Sequence, residues 1–215
     1  MRVAELSRRT GVSVASIKYY LREGLLHPGE RTGPNQAAYG DDHVRRLRLV
    51  RALIDVGGLS VAATRAVLAA VDDDGVGLHR ALGVAQSAVT PVPAAVADEA
   101  TERATKLVDD LVARRGWRIH PHNPGRRAAI EILATCDRLD SPGLPSGLDV
   151  YADAMESLAR HEVDDVVGRD DRESTVEGAV IGMVLGGSLV TAVRSMAQEA
   201  ASARHLDPTP GRPGG

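Results

Sequence analysis

"GVSVASIKYYLREGLL", residues 11–26, sets two of the chain's four tyrosines side by side, in a sequence that has 2% aromatic residues and no Phe. The residues around the pair have helix-boundary chemistry. Gly11 suits the left-handed position that follows a helix, and Ser13 can cap the next one. Ile17, Tyr20 and Leu21 recur on one helical face, while Ala15, Ser16, Lys18 and Tyr19 point the other way. Upstream, Val3, Ala4 and Leu6 form the apolar stripe of a preceding helix. Helix, glycine turn, helix is the arrangement whose second helix enters a DNA major groove. Tyr20 is expected to pack inward, and Tyr19 to offer its ring and hydroxyl to a phosphate.

Downstream, Pro28, Gly29, Gly33 and Pro34 break any helix, and Leu25–His27 with Ala37–Tyr39 can pair as a small hairpin with Arg31 near its tip. A long helix is expected from about Asp42 to Val56. Val44, Leu47, Val50 and Ile54 make its inner face, and Arg45, Arg48 and Arg51 its outer one. Gly57-Gly58 stops it, and Ser60 caps a fourth helix ending near Val71.

Charge follows the same boundary. Residues 1–71 hold eleven Lys/Arg against six Asp/Glu, a net +5, and the remainder holds fifteen against twenty-three, a net −8. A basic N-terminal unit on an acidic body suggests that the first part meets a polyanion. A single cysteine, Cys136, excludes an internal disulfide framework and any multi-cysteine zinc site. The N-terminus has no apolar h-region, so a cytoplasmic location is expected.

The runs "VAELSRRTGVSVASIKYYLREGLLHP" and "AYGDDHVRRLRLVRALIDVGGLSVAATRAVL" together resemble the DNA-binding domain of MerR-type transcription regulators, over about the first 70 residues. The most specific parts are Gly11-Val12-Ser13, Ile17-Lys18-Tyr19-Tyr20, Gly24-Leu25-Leu26 and the order of elements. The resemblance implies a winged helix-turn-helix, dimeric, bound to an operator within a promoter, where RNA polymerase is a further partner. It also implies that the recognition helix reads bases while the tyrosine pair and the wing hold the backbone. Lys18 stands where the family usually has Arg, and Asn35-Gln36-Ala37-Ala38-Tyr39 lacks the wing arginine, for which Arg31 is a substitute. The residues expected at DNA are Ser13, Ala15, Ser16, Lys18, Tyr19, Arg22, Arg31, Tyr39, Arg45 and Arg48.

Beyond residue 71 the resemblance fades and the pattern stays helical. Residues 72–97 read as a linker with a short helix, broken by Asp72-Asp73-Asp74-Gly75 and by Pro91 and Pro93. Amphipathic helices follow over Asp98–Arg115, with Ala104, Leu107, Leu111 and Val112 inward, and over Pro124–Leu139, capped by Asn123. Two more cover Leu148–Val167 and Ser174–His205. Residues 98–206 thus form a helical dimerisation and effector domain, and 207–215 a disordered tail. The fold class is mainly α: a winged helix-turn-helix followed by an all-helical domain.

In that body Trp117, the single indole, is the residue expected to meet a small apolar or aromatic effector. Its plainer role is a core or interface anchor. His120 and His122 flank Pro121 without cysteines or nearby carboxylates, so a solvated loop is expected and no metal. "EGAVIGMVLGGSLVTAV", 177–193, is the most apolar run, yet Glu177 and Arg194 bracket only sixteen residues, short of the ~20 a membrane span needs. Gly178, Gly182 and Gly186 share one helical face there, which suggests close approach of another helix backbone, within the chain or across a dimer. No catalytic constellation and no cofactor motif is evident. These features point to a homodimeric DNA-binding regulator; the competing class is an enzyme or interaction scaffold carrying a DNA-binding head.

Overall fold

Helix ends in this chain are set by local chemistry. In the computed structural model, which describes residues 1–33, 36–73, 78–167 and 172–206, α1 (Val3–Thr10) stops at Gly11, whose φ of 70° is left-handed and whose N–H bonds to Ser7 O. Ser13 then caps α2 (Val14–Arg22), its Oγ accepting from Ser16 N at 3.0 Å. A two-stranded antiparallel wing follows, β1 (Glu30–Gly33) and β2 (Gln36–Ala38), with Arg31 opposite Ala37. This corrects the expected hairpin. Leu25 and Leu26 are almost fully buried, so their apolar side chains take them into the core and the first strand begins five residues later. The expected wing tip at Pro34 and Asn35 lies outside the described residues.

The long helix is α3 (Asp41–Arg51), which continues as a wider π turn over Ala52–Val56, where Gly57 N reaches Ala52 O at 2.9 Å. Val44, Leu47 and Val50 face inward as expected, joined by Leu49 and Leu53, while Ile54 is half-buried. Ser60 caps α4 (Val61–Asp72) through Ala63 N. α5 (Leu78–Val89) precedes an unstructured stretch over 91–97. Then come α6 (Glu99–Arg115), α7 (Pro124–Arg138), the single-turn α8 (Gly143–Ser146), α9 (Leu148–Val167) and α10 (Arg172–Leu206). The chain is therefore mainly helical, with an N-terminal helix-turn-helix. The expected tail, 207–215, lies outside the described residues, as do Asp74, Gly75, Asp170 and Asp171.

Contacts divide the chain into two units, Met1–Arg65 with Ile181–Gly215, and Ala66–Val180. In the first unit, Leu6, Val12, Ile17, Leu26, Tyr39, Val44 and Leu47 form one buried cluster, with Val3, Tyr20 and Leu21 packed against it. The middle of α10 joins this head: Ser188 Oγ donates to Val56 O at 3.1 Å, and Val184 is buried against Gly57. A Cβ on Gly57 would collide with Val184 Cγ1 and lie 2.7 Å from Leu53 O. The glycine that permits close helix approach is therefore Gly57. At Gly182, where such an approach was expected, a Cβ would meet nothing within 4 Å.

In the second unit, α6 packs on α7 through Ala100, Ala104, Val108, Ile130, Leu133 and Ala134. Leu107, expected inward, is 44% exposed; Ala100 and Val108 take the inner face, one turn either side of Ala104. α7 starts as expected, with Asn123 accepting from Arg126 N and Pro124 in the first turn. Asn123 also ties back to Gln86 of α5. The helix over Gly178–His205, 28 residues, contains an 18-residue stretch of mean hydropathy 1.6 and is long and apolar enough to cross a membrane by length and composition alone.

Candidate nucleic-acid interface

α2 presents its outer face as its sequence dictates. Ile17 is fully buried, which fixes the rotation of the helix and leaves Ala15 and Lys18 exposed. The hydroxyls of Ser13 and Ser16 lie 2.8 Å apart, so both are already engaged at the cap, with lone pairs left over for an outside donor. Tyr19 and Tyr20 sit with ring centroids 6.0 Å apart and tilted by 54°. The Arg22 guanidinium covers the Tyr19 ring at 5.1 Å, a cation–π contact that holds ring and charge together at the end of the helix. Tyr20 leans on the core as expected. Burial, then the nearby Asp55 carboxylate, pushes its hydroxyl pKa up, with Arg51 opposing.

The wing and the chain start close on the same helix. Arg2, Lys18, Arg31, Gln36 and Tyr39 line one open hollow of about 400 Å³. Three cations thus converge at its rim. Arg2 was not foreseen, and its place beside the wing follows from main-chain pairing: Tyr39 N donates to Met1 O, and Met1 N to Tyr39 O, both at 2.8 Å. Tyr39 itself is a correction. Expected at the DNA face, it is only 9% exposed and packs edge-on to His43 at 5.1 Å, so its ring mainly supports the wing from beneath.

On α3, Arg45 and Arg48 are exposed as expected, whereas Arg51 is engaged with Asp55 and with Thr10 O. Arg46, which was not singled out, reaches inward and donates to Leu25 O at 3.0 Å, fixing the turn after α2. Among the described residues no ion pair holds Lys18, Arg31, Arg45 or Arg48, while Arg9, Arg51 and Arg65 are paired with Asp41, Asp55 and Glu23. An unneutralised cation on a surface is a ready partner for phosphate.

The remaining expected residues lie in other settings. Trp117 is half-buried just past Gly116, the left-handed end of α6. It does not line the hollow of about 400 Å³ bounded by Arg103, Leu107, Leu133, Cys136, Asp137 and Pro142. His120 and His122 are exposed with rings 5.4 Å apart, and no cluster of three or more metal-ligating side chains occurs among the described residues.

Helix, turn, capped second helix and a two-stranded wing define a winged helix-turn-helix of the DNA-reading class. The MerR HTH family regulatory protein pattern matches residues 1–71. Heavy metal-dependent transcription regulator 2 of Rhizobium meliloti (strain 1021) is 41% identical over 69 residues, 32% of this chain and 46% of its own length. HTH-type transcriptional regulator HmrR of Sinorhizobium medicae (strain WSM419) is 39% identical over the same shares. The chain thus spans less than half the length of these curated relatives. The crystal structure of the candidate transcriptional regulator SCO5550 from Streptomyces coelicolor A3(2) is similar over nearly the whole chain. Identity is 41%, the TM-score 0.70, and the match covers 95% of this chain and 97% of that one. Residues 1–71 thus carry a MerR-family helix-turn-helix domain, in a chain similar over nearly its whole length to a transcriptional regulator.

Proposed function

We propose that this protein is a cytoplasmic, homodimeric regulator that binds a pseudo-palindromic operator through residues 1–71 and answers to a small molecule held by its helical body. The observation that supports the DNA reading is that Lys18, Arg31, Arg45 and Arg48 have no ion pair among the described residues and lie around α2, whose Ala15 and Ser16 are short. Long cations and the Tyr19 hydroxyl hold phosphates, which positions α2 without reading sequence. Ala15 and Ser16 are then close enough to base edges to read them, alanine against a thymine methyl and serine by hydrogen bond. Lys18 supplies a compact charge without the planar fork of arginine. Two such heads must lie about 34–36 Å apart to read successive major grooves, which a two-fold dimer provides. On a promoter, RNA polymerase is the neighbouring partner.

For the effector, the hollow beside α6 and α7 is a better place than Trp117. Leu107, Leu133 and Pro142 give it an apolar wall, and Arg103 with Asp137 gives it a polar rim. The rhizobial relative's dependence on heavy metal is not carried over, because the match covers 69 residues and the single cysteine, Cys136, lies in the body. An enzymatic role is not part of this reading.

The test is selection of a binding site from random duplexes by the full chain, followed by titration over a range of salt. A recovered two-fold sequence, with log K falling by ~0.9 per phosphate neutralised, is the expected result. Recovery of no sequence above background would reject the reading.

A further inference from the structure

The hollow beside the wing gathers Arg2, Lys18 and Arg31, with Gln36 and Ala37 between them, and no carboxylate lines it among the described residues. Each cation comes from a different element. Lys18 stands on the exposed face of α2, and Arg31 on β1. Ala37 pairs directly opposite Arg31, so the two share a face of the wing, and the short methyl leaves room beside the long arginine. Arg2 is held by main chain on both sides. Met1 before it exchanges two hydrogen bonds with Tyr39, just past β2, and the Arg2 carbonyl accepts from Glu5 N and Leu6 N at 2.9 Å as α1 begins. Its backbone is thus fixed, while its side chain is exposed and without a hydrogen bond or ion pair among the described residues.

Like charges around one hollow repel each other, and here the fold supplies no acid to offset them. An entering polyanion relieves that repulsion and releases its own counterions. We infer that Arg2 is a phosphate-holding residue of this head, and that Arg2, Lys18 and Arg31 close on a single phosphodiester of the duplex. This assigns one backbone contact within the DNA reading above, on which it rests. A phosphodiester offers two free oxygens, which suits two guanidinium forks, and Lys18 adds a compact charge. Gln36 contributes an uncharged amide donor at the same rim. The hollow is open and its cations are exposed, as a strand crossing its mouth requires; a small free anion would keep most of its water there. Arg2 and Arg31 are fixed to the wing and Lys18 to α2, so one shared phosphate ties the wing to the recognition helix. It sets the register of α2 in the groove without reading a base.

The test uses the full chain and the duplex recovered by the selection described above. Phosphates are replaced one position at a time, in both half-sites, by uncharged methylphosphonates, and fluorescence anisotropy reads the affinity. On the unmodified duplex Arg2→Gln should bind about tenfold more weakly than the wild type. Arg9→Gln, whose guanidinium is held by Asp41, should match the wild type. One replacement should weaken the wild type by at least tenfold, and on that duplex Arg2→Gln, Arg31→Gln and the wild type should bind alike. A loss by Arg2→Gln that persisted on every modified duplex would overturn the contact, since the side chain would then act through the fold. Losses by Arg2→Gln and Arg31→Gln that vanished at two different phosphates would overturn the sharing. Unchanged binding by Arg2→Gln would overturn the inference and leave the DNA reading intact, whereas a selection that recovered no duplex would overturn both. If inorganic phosphate at constant ionic strength released the duplex from the wild type but not from Arg2→Gln, the hollow would belong to a free anion instead.

Discussion

Between α6 and α7, Arg103, Arg126 and Arg138 each close on a carboxylate of the helix pair, Asp137, Asp109 and Asp98. At the end of α6, Arg115 does the same with Asp149 and Asp153 of α9. In the head, Lys18, Arg31, Arg45 and Arg48 have no such partner among the described residues. The cores differ in the opposite sense. Leu6, Ile17, Leu25, Leu47 and Leu53 are fully buried in the head, whereas the α6–α7 core is built around Ala100, Ala104 and Ala134. The four cations that the head leaves for a polyanion cannot also serve as internal cross-links, and its core relies on large aliphatic side chains. A body freed from that demand can join thin alanine layers with a charged rim.

Truncating each core should give the largest effects and separate the two designs. Leu47→Ala removes a fully buried side chain from a close-packed cluster and should cost about 3–5 kcal/mol, near the top of the usual range. Leu133→Ala should cost less, about 2 kcal/mol, because Leu133 already borders the hollow beside α6 and α7 and its neighbours can relax into the space. Denaturant titration followed by circular dichroism measures both. Equal losses would mean that the body packs as tightly as the head.

A smaller test concerns two glycines. Gly57→Ala places a Cβ against Val184 and the Leu53 carbonyl, and a backbone carbonyl cannot move aside cheaply. A loss of about 1–3 kcal/mol is expected. Gly182→Ala meets open space within a helix and should gain up to about 1 kcal/mol from helix propensity alone. Opposite signs in the two melting temperatures are the expected result. A loss at Gly182 would restore the close approach first read from the sequence.

The glycine result shows what the sequence could and could not disclose. Caps were legible at Gly11, Ser13, Ser60 and Asn123 because a cap depends on a few neighbouring residues. The fold of the head was legible for the same reason, as was the outward placement of Ala15, Lys18, Arg45 and Arg48 once Ile17 and Leu47 were assigned inward. Strand limits were not, since strands of four and three residues carry too little alternation to outweigh a Leu25-Leu26 pair drawn to the core. Leu107 and Val108 are both apolar and adjacent, and only the partner helix decides which turns inward. Arg2 is brought beside the wing by main-chain pairing of Met1 with Tyr39, which no spacing of side chains announces. That Gly57 rather than Gly182 meets a neighbour depends on residues more than a hundred positions apart.

Next in size is the contrast between free and engaged arginines. Arg48→Ala should weaken binding to operator and random duplexes alike, by about tenfold at moderate salt, and lower the salt slope by about one. Arg126→Ala should leave both unchanged, because its guanidinium is held by Asp109 at 2.6 Å. Fluorescence anisotropy at several salt concentrations measures this. An equal change of slope in both variants would dissolve the distinction on which the comparison rests.

The smallest effect expected is at Asp98. Arg138 donates to both its carboxylate oxygens, at 2.8 and 2.9 Å, and Thr101 N donates at the helix cap. The Arg138 hydrogen bonds first, and the cap second, hold this carboxyl well below the usual carboxylate range. A folded-state value below the unfolded one stabilises the fold above the unfolded pKa, about 4, and that contribution is lost as pH falls toward the folded value. Asp98→Asn keeps a cap acceptor and removes the charge, so it should lower the melting temperature slightly at pH 7, and the difference from wild type should shrink below about pH 4. Both groups are at the surface, so added salt should shrink it as well. Arg138→Gln should reproduce the effect, and the double variant should lose little more than either single one, since both remove the same contact. A deficit that persisted unchanged at low pH would place the role of Asp98 in its cap hydrogen bond alone, and would remove this ion pair from the charged rim that distinguishes the body from the head.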